Sequence, residues 1–114
     1  MRMVTLGVAS AEDAKQRMAQ ALAGEMTGEF ISFASADLLW RVLTAKRWEI
    51  LNTMTGHGEL SIREVARLVD RDIKAVHGDV TALVHAGVMN RTESGKVEFP
   101  YDAIHVDFTL KRAA

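Results

Sequence analysis

Residues 61–99 constrain the fold more than any other part of the chain. Ser61-Ile62-Arg63-Glu64 has the spacing of a capping box, a hydroxyl and a glutamate that satisfy each other's end of a helix start. Ile62, Val65, Ala66, Leu68 and Val69 then recur at helical spacing, which predicts a short amphipathic helix running to Asp70. A tight break at Asp70-Arg71 leads into a longer helix over 72–86, whose inward stripe is Ile73, Val76, Val80, Leu83 and Val84. Gly87 followed by Val88 fits a left-handed helix stop with its apolar contact. Val88–Thr92 and Lys96–Phe99 flank the turn Glu93-Ser94-Gly95, a hairpin pattern. Two short helices at a steep angle, followed by a hairpin, predict a winged helix-turn-helix. Its second helix is free to enter a DNA major groove.

The flanking segments carry weaker signals. Residues 2–8 read as a short strand, and Ser10 caps a helix over 11–23 on which Ala14, Met18, Ala21 and Leu22 recur, ended by Gly24 or Gly28. Residues 29–34 lean toward β structure. Ser35 caps a helix carrying Leu38, Leu39, Val42 and Leu43. Thr44 opens the next, with Trp48, Leu51 and Met54 on one face and Gly56 as its stop. Beyond Pro100, the residues Ile104, Val106, Phe108 and Leu110 alternate with His105, Asp107, Thr109 and Lys111, the period of a half-buried strand. That strand either closes the core of its own chain or extends a sheet across a dimer axis. The expected fold is mainly α with a small β component. A helical and strand extension (1–34) precedes the winged helix-turn-helix domain (35–114).

Composition excludes several classes. With 114 residues, 48% hydrophobic and 25% charged, the chain has ordinary globular usage and forms one domain, or one domain with an extension. It has no cysteine, hence no disulfide, thiolate metal site or thiol switch. No apolar run approaches the roughly 18 residues of a membrane span, and the N-terminus lacks a signal-peptide layout, so a cytoplasmic location without a membrane partner is expected. His77 and His85 lie about 12 Å apart along a helix, too far to share one ion, and no metal or other cofactor is expected. There is no His-Glu-x-x-His, no glycine loop for phosphate and no Gly-x-Ser-x-Gly. The carboxylates are scattered, so an enzyme is not expected.

Charge distribution matters more than the net of −1. Residues 41–96 carry nine basic and seven acidic side chains, while residues 1–40 carry three and five. So small a positive bias implies weak affinity of one subunit for a polyanion, and a homodimer is expected to double the footprint. Lys74 and His77, with Arg71 just before them and Thr81 a turn further on, are the candidates for reading base edges. Thr44, Lys46 and Arg47 at one helix start, and Ser61 and Arg63 at another, suit a phosphate clamp, although Thr44 and Ser61 also serve as caps. Arg91 and Lys96 flank the wing turn and suit the sugar-phosphate backbone. Asp72 and Asp79 read as residues that cap the reading helix and orient a basic neighbour. Trp40, Trp48 and the phenylalanines read as core.

Several motifs together resemble a family of small winged-helix proteins related to the MarR and ArsR regulators. They begin with Phe33-x-Ser35 and Leu38-Leu39, then Leu43-Thr44-x-Lys46-Arg47-Trp48-x-x-Leu51 and Leu60-Ser61-Ile62-Arg63-Glu64-Val65-Ala66. Arg71-Asp72-x-Lys74-x-Val76-His77-x-Asp79-Val80-x-x-Leu83 with Gly87 continues them, and Gly95-Lys96-Val97 and Pro100-Tyr101-Asp102-x-Ile104 close them. The resemblance covers about two thirds of the chain and implies a DNA-binding regulator. Some relatives are similar to antitoxins paired with TumE-type toxins, which implies operon repression and a cognate toxin as partner. The alternative it leaves is a protein-interaction module that neutralises a toxin without strong DNA binding. Relatives often carry a basic residue after the helix histidine; here Gly78 stands.

Overall fold

Val4 and Leu6 are fully buried and Met3 is exposed, the alternation that makes Met3–Val8 a strand, β1. The computed structural model describes residues 2–8, 15, 19 and 29–108. Among them, β1 is followed by β2 (Glu29–Phe33), α1 (Ala36–Val42), α2 (Ala45–Met54), β3 (Glu59–Leu60) and α3 (Ile62–Val69). Then come α4 (Ile73–His85), β4 (Asn90–Arg91), β5 (Val97–Glu98) and β6 (Ala103–Asp107). Of the helix read over 11–23, Lys15 and Ala19 are described and both are helical; the rest of that reading, like Leu110, lies outside the described residues. No helix among the described residues is long and apolar enough to cross a membrane.

The strands form two sheets. β2, β1 and β6 lie side by side with both pairings parallel, so Leu6 of the central strand is flanked by Ile31 and Val106. Parallel neighbours need long crossover connections, and here everything from α1 to β5 lies within the connection from β2 to β6. The second sheet is antiparallel, in the order β3, β5, β4. The protein is therefore an α/β structure rather than a mainly α one: every described strand but β3 has a counterpart in the sequence pattern, but the pattern does not show that β2, β1 and β6 join in one parallel sheet. β1 and β6 pair Met3 with Ala103, and such distant pairing leaves no local pattern to read. β3, two residues long, is too short to show a period.

One apolar core joins the elements. Val4 and Leu6 of β1, Leu39 of α1, Ile50 and Leu51 of α2, Val65 of α3, Val80 and Leu83 of α4 and Phe99 all belong to it. Trp40, Trp48 and Phe108, expected inside, are instead exposed, as are Leu68 and Ile73. Phe33 and Phe99 are buried as expected.

Gly7 shows how closely the parallel strands meet. A Cβ there would lie 2.6 Å from the Asp107 carbonyl oxygen and 2.9 Å from the Phe30 ring. Since the first of these is backbone, relief requires β6 to move. Gly7→Ala is expected to destabilise the protein by about 2 kcal/mol, read as an earlier urea midpoint. An unchanged midpoint would refute the close approach.

Helix ends follow the local rules. Ser35 Oγ accepts from Leu38 N, and Thr44 Oγ1 accepts from Arg47 N. Ser61 and Glu64 form both halves of the capping box, at 3.1 Å each. α3 stops at Asp70, which takes the left-handed conformation at φ 53°. Aspartate tolerates this region better than most residues. Asp72 Oδ2 then accepts from Lys74 N and Ala75 N, so α4 begins after a break of three residues. At its far end Val88 N reaches Leu83 O and Gly87 N reaches Val84 O, the paired bonds of a Schellman stop, with Gly87 at φ 81°.

Candidate functional site

The position of α4 is held by one carboxylate. Arg71 Nη2 donates to Asp79 Oδ2 at 2.8 Å, and Arg47 Nε donates to Asp79 Oδ1 at 3.1 Å. Arg47 Nη1 also reaches the carbonyls of Arg41 and Val42 at the end of α1. Asp79 of α4 thus ties α2 and the turn before α4 together, with the end of α1 joined through Arg47, and its side chain is only 17% exposed. Burial alone pushes the Asp79 carboxyl up. The hydrogen bonds from Arg71 and Arg47, with their charges, outweigh that and hold it below the ordinary carboxylate range. Asp72 and Asp79 do what their positions suggest, one capping the helix and the other orienting basic neighbours.

This cluster changes the reading of two candidate residues. Arg47 and Arg71 are paired inside the protein, so their first role is to fix α4 rather than to meet a ligand. Thr81 is half-buried and its Oγ1 is enclosed without a partner among the described residues, which removes it from the exposed strip of the helix. Thr44 and Ser61 are occupied as caps through their side-chain oxygens.

The N-terminal half of α4 presents a different surface. Ile73, Lys74, His77 and Gly78 are exposed, and the first three line an open depression. Ile73 is 42% exposed, although periodicity places it on the inward stripe. It is the first helical residue, one turn before Val76 where burial begins, so the stripe continues past the core that would cover it. Sequence spacing cannot register where a helix outruns its neighbours. Lys46, Arg63, Lys74, Arg91 and Lys96 are exposed and form no ion pair among the described residues.

Arg91 and Lys96 are carried on a closed turn. Thr92 N donates to Lys96 O at 2.9 Å, Lys96 N donates to Thr92 Oγ1 at 3.2 Å, and Gly95 takes φ 80°. Ser94 Oγ donates to Glu59 Oε1 at 3.3 Å, so the turn is also tied to β3. This places an acidic group against the turn that carries the two cations.

Gly78 sits in mid-helix, and beyond its chain neighbours and the helix's own backbone no heavy atom lies within 4 Å of where a Cβ would go. Gly78→Ala is therefore expected to stabilise the protein by roughly 0.5–1 kcal/mol, seen as a higher melting temperature. A destabilised variant would contradict the open environment.

These observations define an α/β protein in which a carboxylate-locked helix pair is followed by an antiparallel hairpin. The HVO_A0114 family model matches residues 42–106, more than half of the chain, and the protein belongs to that family. The matched span takes in α2, α3, α4, the β3–β5–β4 sheet and the Arg47–Asp79–Arg71 cluster. No curated protein matches the chain.

Proposed function

We propose that the chain is a winged helix-turn-helix regulator of transcription, a cytoplasmic repressor that binds double-stranded DNA through α4 and the β4–β5 turn. The observation that carries this reading is the exposed start of α4, where Ile73, Lys74 and His77 surround an open depression while Asp79 fixes the helix behind them. Lysine donates to the guanine acceptors, histidine bonds either purine edge more weakly, and an exposed isoleucine suits a thymine methyl group. Lys46, Arg63, Arg91 and Lys96 supply the phosphate contacts, which set register and salt dependence. The resemblance to MarR and ArsR regulators supports the same reading.

The net charge of −1 favours one competing reading, a module of the same fold that neutralises a partner toxin. Selection of duplexes from a random pool separates the two. A regulator enriches a defined site, and its affinity falls steeply with salt, by a slope near 0.9 per phosphate contacted. Failure to enrich any sequence at low salt would sink the regulator and leave the interaction module.

A further inference from the structure

We propose that β6 is the seam of a twofold dimer, pairing antiparallel with β6 of a second copy so that the parallel sheet continues across the axis. This deepens the regulator reading, for which the small positive bias of the sequence makes a homodimer with a doubled DNA footprint the expected form, but it stands on geometry that makes no reference to DNA.

The first observation is the strand edge. Ala103 N donates to the Arg2 carbonyl at 3.3 Å, so the N–H and C=O of Ala103, and of alternate residues after it, face β1. Those of Ile104 and Val106 then face away, and no strand among the described residues takes them. An edge of this kind is a template for another strand.

The second observation is what flanks that edge. Trp40 of α1 is 51% exposed and Phe108 is 36% exposed, and their rings meet edge to face at 5.3 Å. Two half-exposed aromatic rings beside an unpaired strand form an apolar margin continuous with Ile104 and Val106, which are half-buried. A strand added at this edge would cover them.

The third observation selects the occupant and the register. Only registers that set Ile104, Val106 and Phe108 opposite one another satisfy the outward backbone groups of both copies. Setting Val106 opposite its own twofold mate places Ile104 against Phe108, and His105 against Asp107, on both sides of the axis. The imidazole and carboxylate are exposed and lie on the face opposite to Ile104 and Val106, directly across from each other. Moving the register by one allowed step sets His105 against His105 and Asp107 against Ala103, which removes both pairs. A strand whose imidazole and carboxylate meet each other under a twofold axis, as hydrogen-bonding partners, fits a second copy of itself.

The chain contains no cysteine, so paired thiols report the register directly. In the proposed dimer, positions 105 and 107 of opposite copies form a non-hydrogen-bonded pair with Cα atoms about 4.5 Å apart, within disulfide reach. Like positions lie diagonally, about 7–8 Å apart, beyond it. His105→Cys combined with Asp107→Cys should give a covalent dimer on mild oxidation, whereas either single variant should not. Independently, sedimentation of the full chain without DNA should show a concentration-dependent dimer. His105→Glu should weaken that dimer about tenfold, and Asp107→Lys added to it should restore association. Circular dichroism would confirm that each variant is folded. A wild-type monomer at every concentration, cross-linking of the single variants as efficiently as the double, or association indifferent to His105→Glu would each overturn the seam. Because no DNA is present, these results leave duplex selection as a separate test of the regulator.

Discussion

Replacing Asp79 with alanine is expected to cost the fold about 3 kcal/mol and to lower the melting temperature by roughly 10–15 °C. Among the described residues the carboxylate is the only partner of Arg71 Nη2, and it shares Arg47 with the two carbonyls at the end of α1. Without it, two guanidinium groups remain in a half-buried site with no counter-charge, which is far costlier than losing an exposed ion pair. Arg47→Ala should cost less, since Asp79 keeps Arg71. The pH dependence has a definite sign. Because the native carboxyl is held below its ordinary range of about 4, its stabilising contribution is full above that value. It is lost as pH falls from about 4 toward the depressed native value. Melting curves of wild type and Asp79→Asn should therefore lie far apart at pH 7 and converge in acid. A melting temperature for Asp79→Ala within a degree or two of wild type would show that the cluster does not lock α4.

Lys74→Ala should reduce affinity for a selected operator by about tenfold to a hundredfold, and affinity for random duplex by much less. On the proposed regulator reading, a base-edge contact is lost in the first case, whereas only a general electrostatic attraction is lost in the second. Arg91→Ala should weaken both duplexes alike and reduce the salt slope by about one. Lys74 and Arg91 are both exposed and form no ion pair among the described residues, so neither variant should shift the melting temperature measurably. Titrations at several salt concentrations on both duplexes decide the matter. Equal losses for the two variants on the two duplexes would dissolve the division between reading and anchoring.

The two predictions depend on each other through α4. A helix that reads base edges must hold its side chains to within a fraction of an ångström, and loop-borne cations alone do not provide that. Asp79 supplies the fixed point, and Lys74 stands five residues before it on the same helix. Asp79→Ala should accordingly also weaken operator binding, even where the protein remains folded.

Much of the helical part is legible because it is written locally. Ser35, Thr44, Ser61 and Asp72 each bond an N–H two or three residues along, so their roles show in a window of four. The Gly87 stop and the turn around Gly95 are legible for the same reason. Asp79 is legible as a group that orients a basic neighbour, but not as one shared between Arg71 and Arg47, the latter 32 residues away. Periodicity misplaces Ile73 because it describes a helix and not the length over which its neighbours cover it. Hydrophobicity alone puts Trp40 and Phe108 in the core, yet they lie at a sheet edge that forms only when β6 pairs with β1.

By itself, then, the order of residues determined where helices begin and end and which face of each is apolar, since unsatisfied backbone groups and side-chain periodicity act over a few positions. The tertiary structure decided which strands are neighbours, which arginines are consumed by Asp79 and which lysines and arginines are left facing solvent. Those outcomes depend on contacts between segments up to 100 residues apart, whose energy comes from packing and charge neutralisation that no local window contains.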